Sequence, residues 1–442
     1  MGHRYLMALL RRSTLALGLL GLPEGDVALG GEIPQPVEDY EIEKFDPEEI
    51  SEAARSGRPV DLKFFGKSYR TYLEASDVRS RRFQATRGTL IEAHTVYPSE
   101  VRNFKGHLAD EPDSIVRLSI VRGGIRGFIR SQEGWTFVEP LQVGPLNIKG
   151  DPGVGDHKVF TESDFDPKFL GACAAPLILN STESLLHQHE DLSDPGEEES
   201  GEETIDTSLK VLELAVDADV EFFSVYGDQT AAEIEATLNM VNGIFESDLS
   251  LTIELVSLKI WDTEPDPYDE VDAANLLDEF RTHWNVQNGA ITRDAAHLFT
   301  GKDLTGSTVG IAYLSVVCNM SAAYAISQDL SSDVLMPLLV AHELGHNLGT
   351  DHDPAGSTPR YIMYPSLGFA NLDQFSDMTR AFIGNYVNTT SCLHLQGESS
   401  SESATVSRSS GGGGPVDPLL ALIIGGACLA HRIHSRKRSD AG

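Results

Sequence analysis

The strongest constraint in this 442-residue chain is eleven residues long: His342-Glu343-Leu344-Gly345-His346-Asn347-Leu348-Gly349-Thr350-Asp351-His352. The sequence around it predicts a helix over 334–348, with Asp333 as N-cap. Pro337 falls in its first turn, where a missing N–H costs little. Positions four apart share one helix face, so His342 and His346 can offer two imidazoles to one ion. Gly349 accepts the left-handed conformation that ends a helix, and the turn it makes returns His352 as a third nitrogen. Three neutral imidazoles and one open position suit a catalytic Zn2+. Such an ion lowers the pKa of its water toward ~7 and polarises a carbonyl. Glu343 lies beside the three histidines without joining them. It can accept a proton from that water and pass it to a leaving amine. A core helix that merely contains histidines is the plain alternative. Gly349 and His352 at these offsets make chance agreement about one in ten thousand or rarer at average residue usage.

The rest of the chain sets the context. A net charge of −33 and a pI near 4.7 repel phosphate backbones, so nucleic acid is not expected as a partner. With 40% hydrophobic residues the chain can build real cores. Arg11 and Arg12 precede an apolar run over 15–22 and small residues to Gly31, which reads as a signal peptide over 1–30. Residues 31–60 look like a loosely ordered acidic lead-in. Short β-rich runs between Gly turns over about 60–141 suggest a small antiparallel domain within a 31–189 unit. From 190 to 208 come nine acids and no Lys or Arg, a self-repelling linker open to proteolysis. His187 and His189, just before it, read as exposed linker residues. A Ser/Gly-rich stretch over 395–414 leads to a 415–442 tail with twelve apolar residues and a basic end. That run is shorter than the ~20 residues a comfortable spanning helix needs. The layout resembles bacterial C-terminal sorting tails, which implies transient membrane anchoring, a sorting protease and an exported, extracellular, surface or periplasmic location.

Between 209 and 394, strand and helix patterns alternate. Strands are expected over 210–216, 251–260 and 309–317, and helices over 231–245 and 273–284. Met363, within Tyr361-Ile362-Met363-Tyr364-Pro365, follows His352 by eleven residues. This resembles the Met-turn beneath the three histidines of metzincin proteases. Asp353 after the third His, the stretch from Asp294 to Gly301, Gly310-Ile311-Ala312-Tyr313, Cys318, Phe375-Ser376 and Ser391-Cys392-Leu393 extend the likeness. Together they make 209–394 resemble the catalytic domain of adamalysin/reprolysin-type, ADAM-like metzincin metalloproteases.

The resemblance carries further expectations. The fold would be α+β, a twisted mixed sheet with the active-site helix and a smaller C-terminal subdomain, preceded by a β-rich propeptide. Cys318 and Cys392 would form a disulfide. Residues 104–108 through 139–140 resemble the β-rich reprolysin propeptide, and Cys173 becomes a candidate cysteine switch whose thiolate would fill the ion's fourth position. Arg79-Ser80-Arg81-Arg82 looks like a processing site, yet cutting there would not release a catalytic domain. The strand around Gly310, Ile311 and Ala312 would edge the substrate cleft, adding a peptide as an extra strand, and Tyr364 and Pro365 would help wall it. The reading is an exported zinc endopeptidase made as an inactive precursor and acting on proteins or peptides. Its rivals are a non-catalytic zinc-stabilised binding module, disfavoured by Glu343, and a processing enzyme dedicated to one substrate.

Overall fold

The computed structural model describes residues 37, 39–96, 100–141, 155–164, 171–178, 209–330, 332–354, 361–367 and 374–397. The signal peptide, the acidic linker with His187 and His189, and the C-terminal tail with Cys428 lie outside the described residues. Among the described residues no helix is long and apolar enough to cross a membrane.

The N-terminal half builds an eight-stranded antiparallel sheet. Its strands are β1 (Glu41–Lys44), β2 (Val60–Phe64), β3 (Lys67–Ala75), β6 (Asn103–Leu108), β7 (Glu111–Val121), β8 (Gly124–Ser131), β9 (Gly134–Pro140) and β10 (Asp156–Thr161), in the order β1-β10-β9-β8-β7-β6-β3-β2. Strand β2 alternates buried and exposed residues, as a half-buried strand must. The tight β7–β8 hairpin turns through Arg122 and Gly123, both at positive φ (49° and 77°), which matches the right-handed strand twist.

The expected loose lead-in is a correction. Residues 47–56 form helix α1 (Pro47–Ser56), with the Asp46 side chain accepting from the Glu48 N–H, Pro at the start and Gly57 in the left-handed conformation at the end. It buries Ile50 and Ala53 in a cluster with Leu62, Phe64 and Leu73.

The second sheet is mixed. Strands β12 (Lys210–Ala218), β13 (Leu251–Trp261), β14 (Ala295–Thr300) and β16 (Tyr324–Gln328) pair in parallel, while β15 (Thr308–Ala312) runs antiparallel to β16. The strand expected over 309–317 is therefore shorter. The chain leaves the ladder after Ala312, and Ser315 and Cys318 take positive φ in the turn that follows. The N-terminal half adds strands on both sides of this core. On one side β4 (Arg79–Gly88) pairs in parallel with β13 and carries β5 (Ala93–Val96). On the other, β11 (Gly171–Cys173) lies between β15 and β17 (Ser366–Leu367). A short β18 (His394–Leu395) pairs with the start of β12. The basic stretch at 79–82 thus lies in a sheet strand rather than in a loop.

Helix α2 (Val220–Tyr226), capped by the Asp219 side chain, leads to α3 (Thr230–Leu249). Nearly all of α3 is buried, because it packs β13 on one side and β6, β7 and β8 on the other. Its polar residues are matched to backbone. Asn242 exchanges two hydrogen bonds with Ile253 on β13, and Asn239 donates to the carbonyls of Phe104 and Leu118 in the N-terminal sheet. Helix α4 (Ala273–Gln287) lies against β15 and β16, burying Leu276, Leu277, Phe280 and Trp284. Helix α5 (Leu335–Asn347) carries the histidine motif, and α6 (Asp377–Thr389), capped by the Ser376 side chain, precedes β18.

Candidate active site

The motif helix is buried along its whole length, which explains why it shows no amphipathic stripe. Pro337 stands in its first turn, as the sequence predicts. Asp333 is not its N-cap, and this is a second correction. The carboxylate of Asp333 is drawn to Arg122 (2.6 Å) and Arg126 on the β7–β8 hairpin, and Ser332 accepts the Leu335 N–H instead. Two guanidinium partners outweigh one N–H. At the other end Asn347 closes the helix and Gly349 turns the chain at φ 102°.

That turn brings the three rings together. The Nε2 atoms of His342 and His346 are 3.1 Å apart, those of His346 and His352 3.3 Å, and those of His342 and His352 3.2 Å. The opposite nitrogens are anchored. His342 Nδ1 lies 2.6 Å from the Ile362 carbonyl and His346 Nδ1 2.8 Å from the Thr350 carbonyl. A carbonyl only accepts, so both Nδ1 atoms carry the proton and both Nε2 atoms present lone pairs. Burial holds His342 far below the usual imidazole pKa and His346 at about 4, and lowers His352 as well. Buried neutral imidazoles with converging lone pairs repel one another unless a cation lies between them. A tetrahedral ion with bonds of about 2.0–2.1 Å holds its nitrogens about 3.3 Å apart, the spacing seen here. The residues fit zinc.

Glu343 is fully buried, and both its oxygens lack a hydrogen-bond partner among the described residues. Desolvation raises its pKa well above the carboxylate norm. Gly310 on β15 leaves the room this carboxylate needs, since a Cβ there would collide with Oε1 of Glu343. Ile311 and Ala312 continue that strand, both buried. Met363 is also fully buried and lies against the helix at Gly345, where an added Cβ would meet its Sδ at 2.6 Å.

Cys173 is buried in the cleft. Its Sγ, a ring nitrogen of His342 and a carboxylate oxygen of Glu343 lie within 4.8 Å of one another. Burial first, then the Glu343 charge, push its thiol pKa well up. The strap that carries it fills the groove where a peptide strand was expected. Its Ala172 N–H donates to Ser307 O, its Ala174 N–H to Gly310 O and its Leu177 N–H to Ala312 O, on the β15 side. Across the groove the Cys173 N–H donates to Pro365 O, beside half-buried Tyr364.

Sequence reading missed several supports. Asn347 donates to the carbonyls of Tyr313 (2.8 Å) and Tyr324 (3.1 Å), fixing the helix end to the strands beside it. Asp353 accepts from Ser376 and Thr379, and its N–H donates to the Met363 carbonyl, so it ties the third histidine's loop to the Met363 turn and to α6. No local pattern announces either, since each partner comes from a distant element. The Cys318–Cys392 disulfide is present, joining the turn after β15 to the end of α6 across 74 residues.

A three-histidine cage with a buried carboxylate beside it has a counterpart among known proteins: residues 208–376 match the family model Reprolysin_5, described as metallo-peptidase family M12, and the match supports a metalloprotease of the M12 type.

Proposed function

We propose that the chain is a zinc-dependent endopeptidase of the adamalysin/reprolysin kind, made in a latent form. The observation that carries this reading is the convergence of three Nε2 lone pairs beside the partnerless carboxylate of Glu343. His342, His346 and His352 would hold Zn2+, which when bound supplies Lewis-acid polarisation of a peptide carbonyl and a more acidic water. The Ile362 and Thr350 carbonyls fix the tautomers of His342 and His346 and so aim their lone pairs. Glu343 is the proton carrier. As a carboxylate beside the three histidines it would accept a proton from water and return it to the leaving nitrogen. Met363 supports the helix from below. The edge of β15, with Gly310, Ile311 and Ala312, would take the substrate backbone as an added strand, and Tyr364 and Pro365 would wall the far side.

Latency follows from the 171–177 strap. It uses the β15 hydrogen-bonding groups a substrate would need, and Cys173 brings a sulfur to the edge of the histidine cage. Export past the cytoplasm is part of the same reading, supported by the 1–30 and 415–442 sequences and by the disulfide. Anchoring by the tail would then be transient and ended by a sorting protease.

The test uses the full chain with specific protease sites introduced on both sides of the strap, within 165–170 and within the 190–208 linker, cut at both, and offered a mixed peptide library. Mass spectrometry should find about one zinc per chain and cleavage products that vanish in Glu343→Ala, with zinc retained. A zinc-loaded wild type that cuts nothing would overturn the protease reading and favour a binding module.

A further inference from the structure

The N-terminal half meets the C-terminal half in two ways that differ greatly in extent. The strap makes one three-residue strand and a few backbone bonds, and adds Cys173, with Ala174 and Leu177 beside it, to the apolar cluster. The body, residues 37–164, is joined through both its cores and its charges. Val78, Ala85, Phe128, Trp135, Phe137 and Phe160 belong to the same apolar cluster as Leu214, Leu238 and Leu258 of the C-terminal half. Strand β4 completes the β13 edge, with Leu255 N–H donating to Val78 O and the register running from Ser257 opposite Gln84 to Trp261 opposite Gly88. Gly243 of α3 sits so close to Arg117 and Phe128 that a Cβ there would lie 2.7 Å from each. Asn239, fully buried, donates its amide N–H groups to the Phe104 and Leu118 carbonyls of the N-terminal sheet.

The charges run one way. Among the described residues the ion pairs between the halves put the arginine on the body and the carboxylate on the other side: Arg82 with Glu213, Arg87 with Asp228 and Asp262, Arg117 with Glu246, Arg122 and Arg126 with Glu233 and Asp333, Arg130 with Asp248. Departure of the body would strand Glu233, buried on α3, as an unpaired charge and bare an edge strand and an apolar helix face.

We propose that the body is a resident subunit: once the connecting chain is cut it stays bound to the C-terminal half, and the cleft is freed by displacement of the 171–177 strap alone. The second half of this statement rests on the latent-protease reading.

The experiment introduces two specific protease sites into the full chain, one within 165–170 and one within 190–200. After cutting, native gel filtration should show the body and the C-terminal half eluting together in a one-to-one complex, with the strap peptide lost. A body that elutes separately overturns the proposal, and a retained strap peptide overturns its second half. A retained body with no peptide hydrolysis would overturn the protease reading and leave the subunit intact. Hydrogen exchange on the uncut chain gives a check that needs no engineered loop. The Leu255 amide, bonded to β4, should exchange as slowly as those of β12, and the Ala174 and Leu177 amides at least tenfold faster. Equal rates at both edges would overturn it.

Discussion

One sheet takes in strands from the N-terminal half on each side of its central strands, and the two do different work. Strand β4 is ten residues long, brings β5 with it, and is backed by a shared apolar core. Strand β11 is three residues long and sits beside chemistry. Both use the same backbone hydrogen bonds, so the difference lies in what lies behind them. A ten-residue strand backed by many buried side chains becomes architecture, whereas a three-residue strand that adds little more than Cys173 to the core can be exchanged for a substrate.

The largest effect should come at the cleft edge. Glu343→Gln removes the proton carrier and leaves the β4 edge in place, so kcat/KM of the strap-cut protein should fall by about 10²–10⁴-fold. Bound zinc and the melting temperature should hardly change. Loss of zinc in parallel would mean that Glu343 organises the cage rather than moving protons.

Where the body that carries β4 meets α3 and the start of the motif helix, Arg126→Ala should cost about 3–5 kcal/mol of stability, because it leaves Glu233 buried with only Arg122 to balance it. Chemical denaturation of the uncut chain reads this directly. A loss below about 1 kcal/mol would erase the distinction between the two edges, since the body would then be held no more firmly than the strap.

Cys173→Ala tests the other side of the comparison. The thiol gives up one small buried group and its contact with the Glu343 carboxylate, so stability should drop by no more than about 1–2 kcal/mol. Basal hydrolysis by the uncut protein should rise several-fold as the sulfur leaves the cage. Unchanged hydrolysis would assign inhibition to the strap's backbone bonds instead.

These contrasts also mark what the sequence could reveal. The histidine cage was legible because its parts lie within eleven residues and helical periodicity alone aligns two of them. The disulfide and Met363 were reached through a resemblance extending over much of the domain. Helix α1 was written in Asp46-Pro47-Glu48-Glu49 and Gly57, a start and a stop that an acidic, Pro-containing composition obscured. The two edges were not legible. The pairing of β4 with β13 joins residues about 170 apart in sequence, and no local pattern encodes a partner at that range. The same distance explains Asp333. Read locally it is a good N-cap, but in the fold it answers to arginines some 200 residues earlier.

The smallest effect concerns how dry the β4 edge is. Glu235 on α3 is buried near Arg79, and burial, the leading cause, raises its pKa from 4.5 to about 7; Arg79 opposes the rise and Asp77 adds to it. A carboxyl whose folded pKa is raised binds more protons folded than unfolded between those values. Stability from this group is therefore greatest near pH 4.5 and is lost as pH climbs to about 7. Glu139 and Asp294, also raised to about 7 by burial, push the wild type the same way, so the informative quantity is the difference between variant and wild type. Glu235→Gln should melt higher than wild type at pH 8, and the gap should close as pH falls toward 4.5. A gap that stays constant with pH would mean that water reaches Glu235, and a wet β4 edge would be far easier to part than the shared core implies.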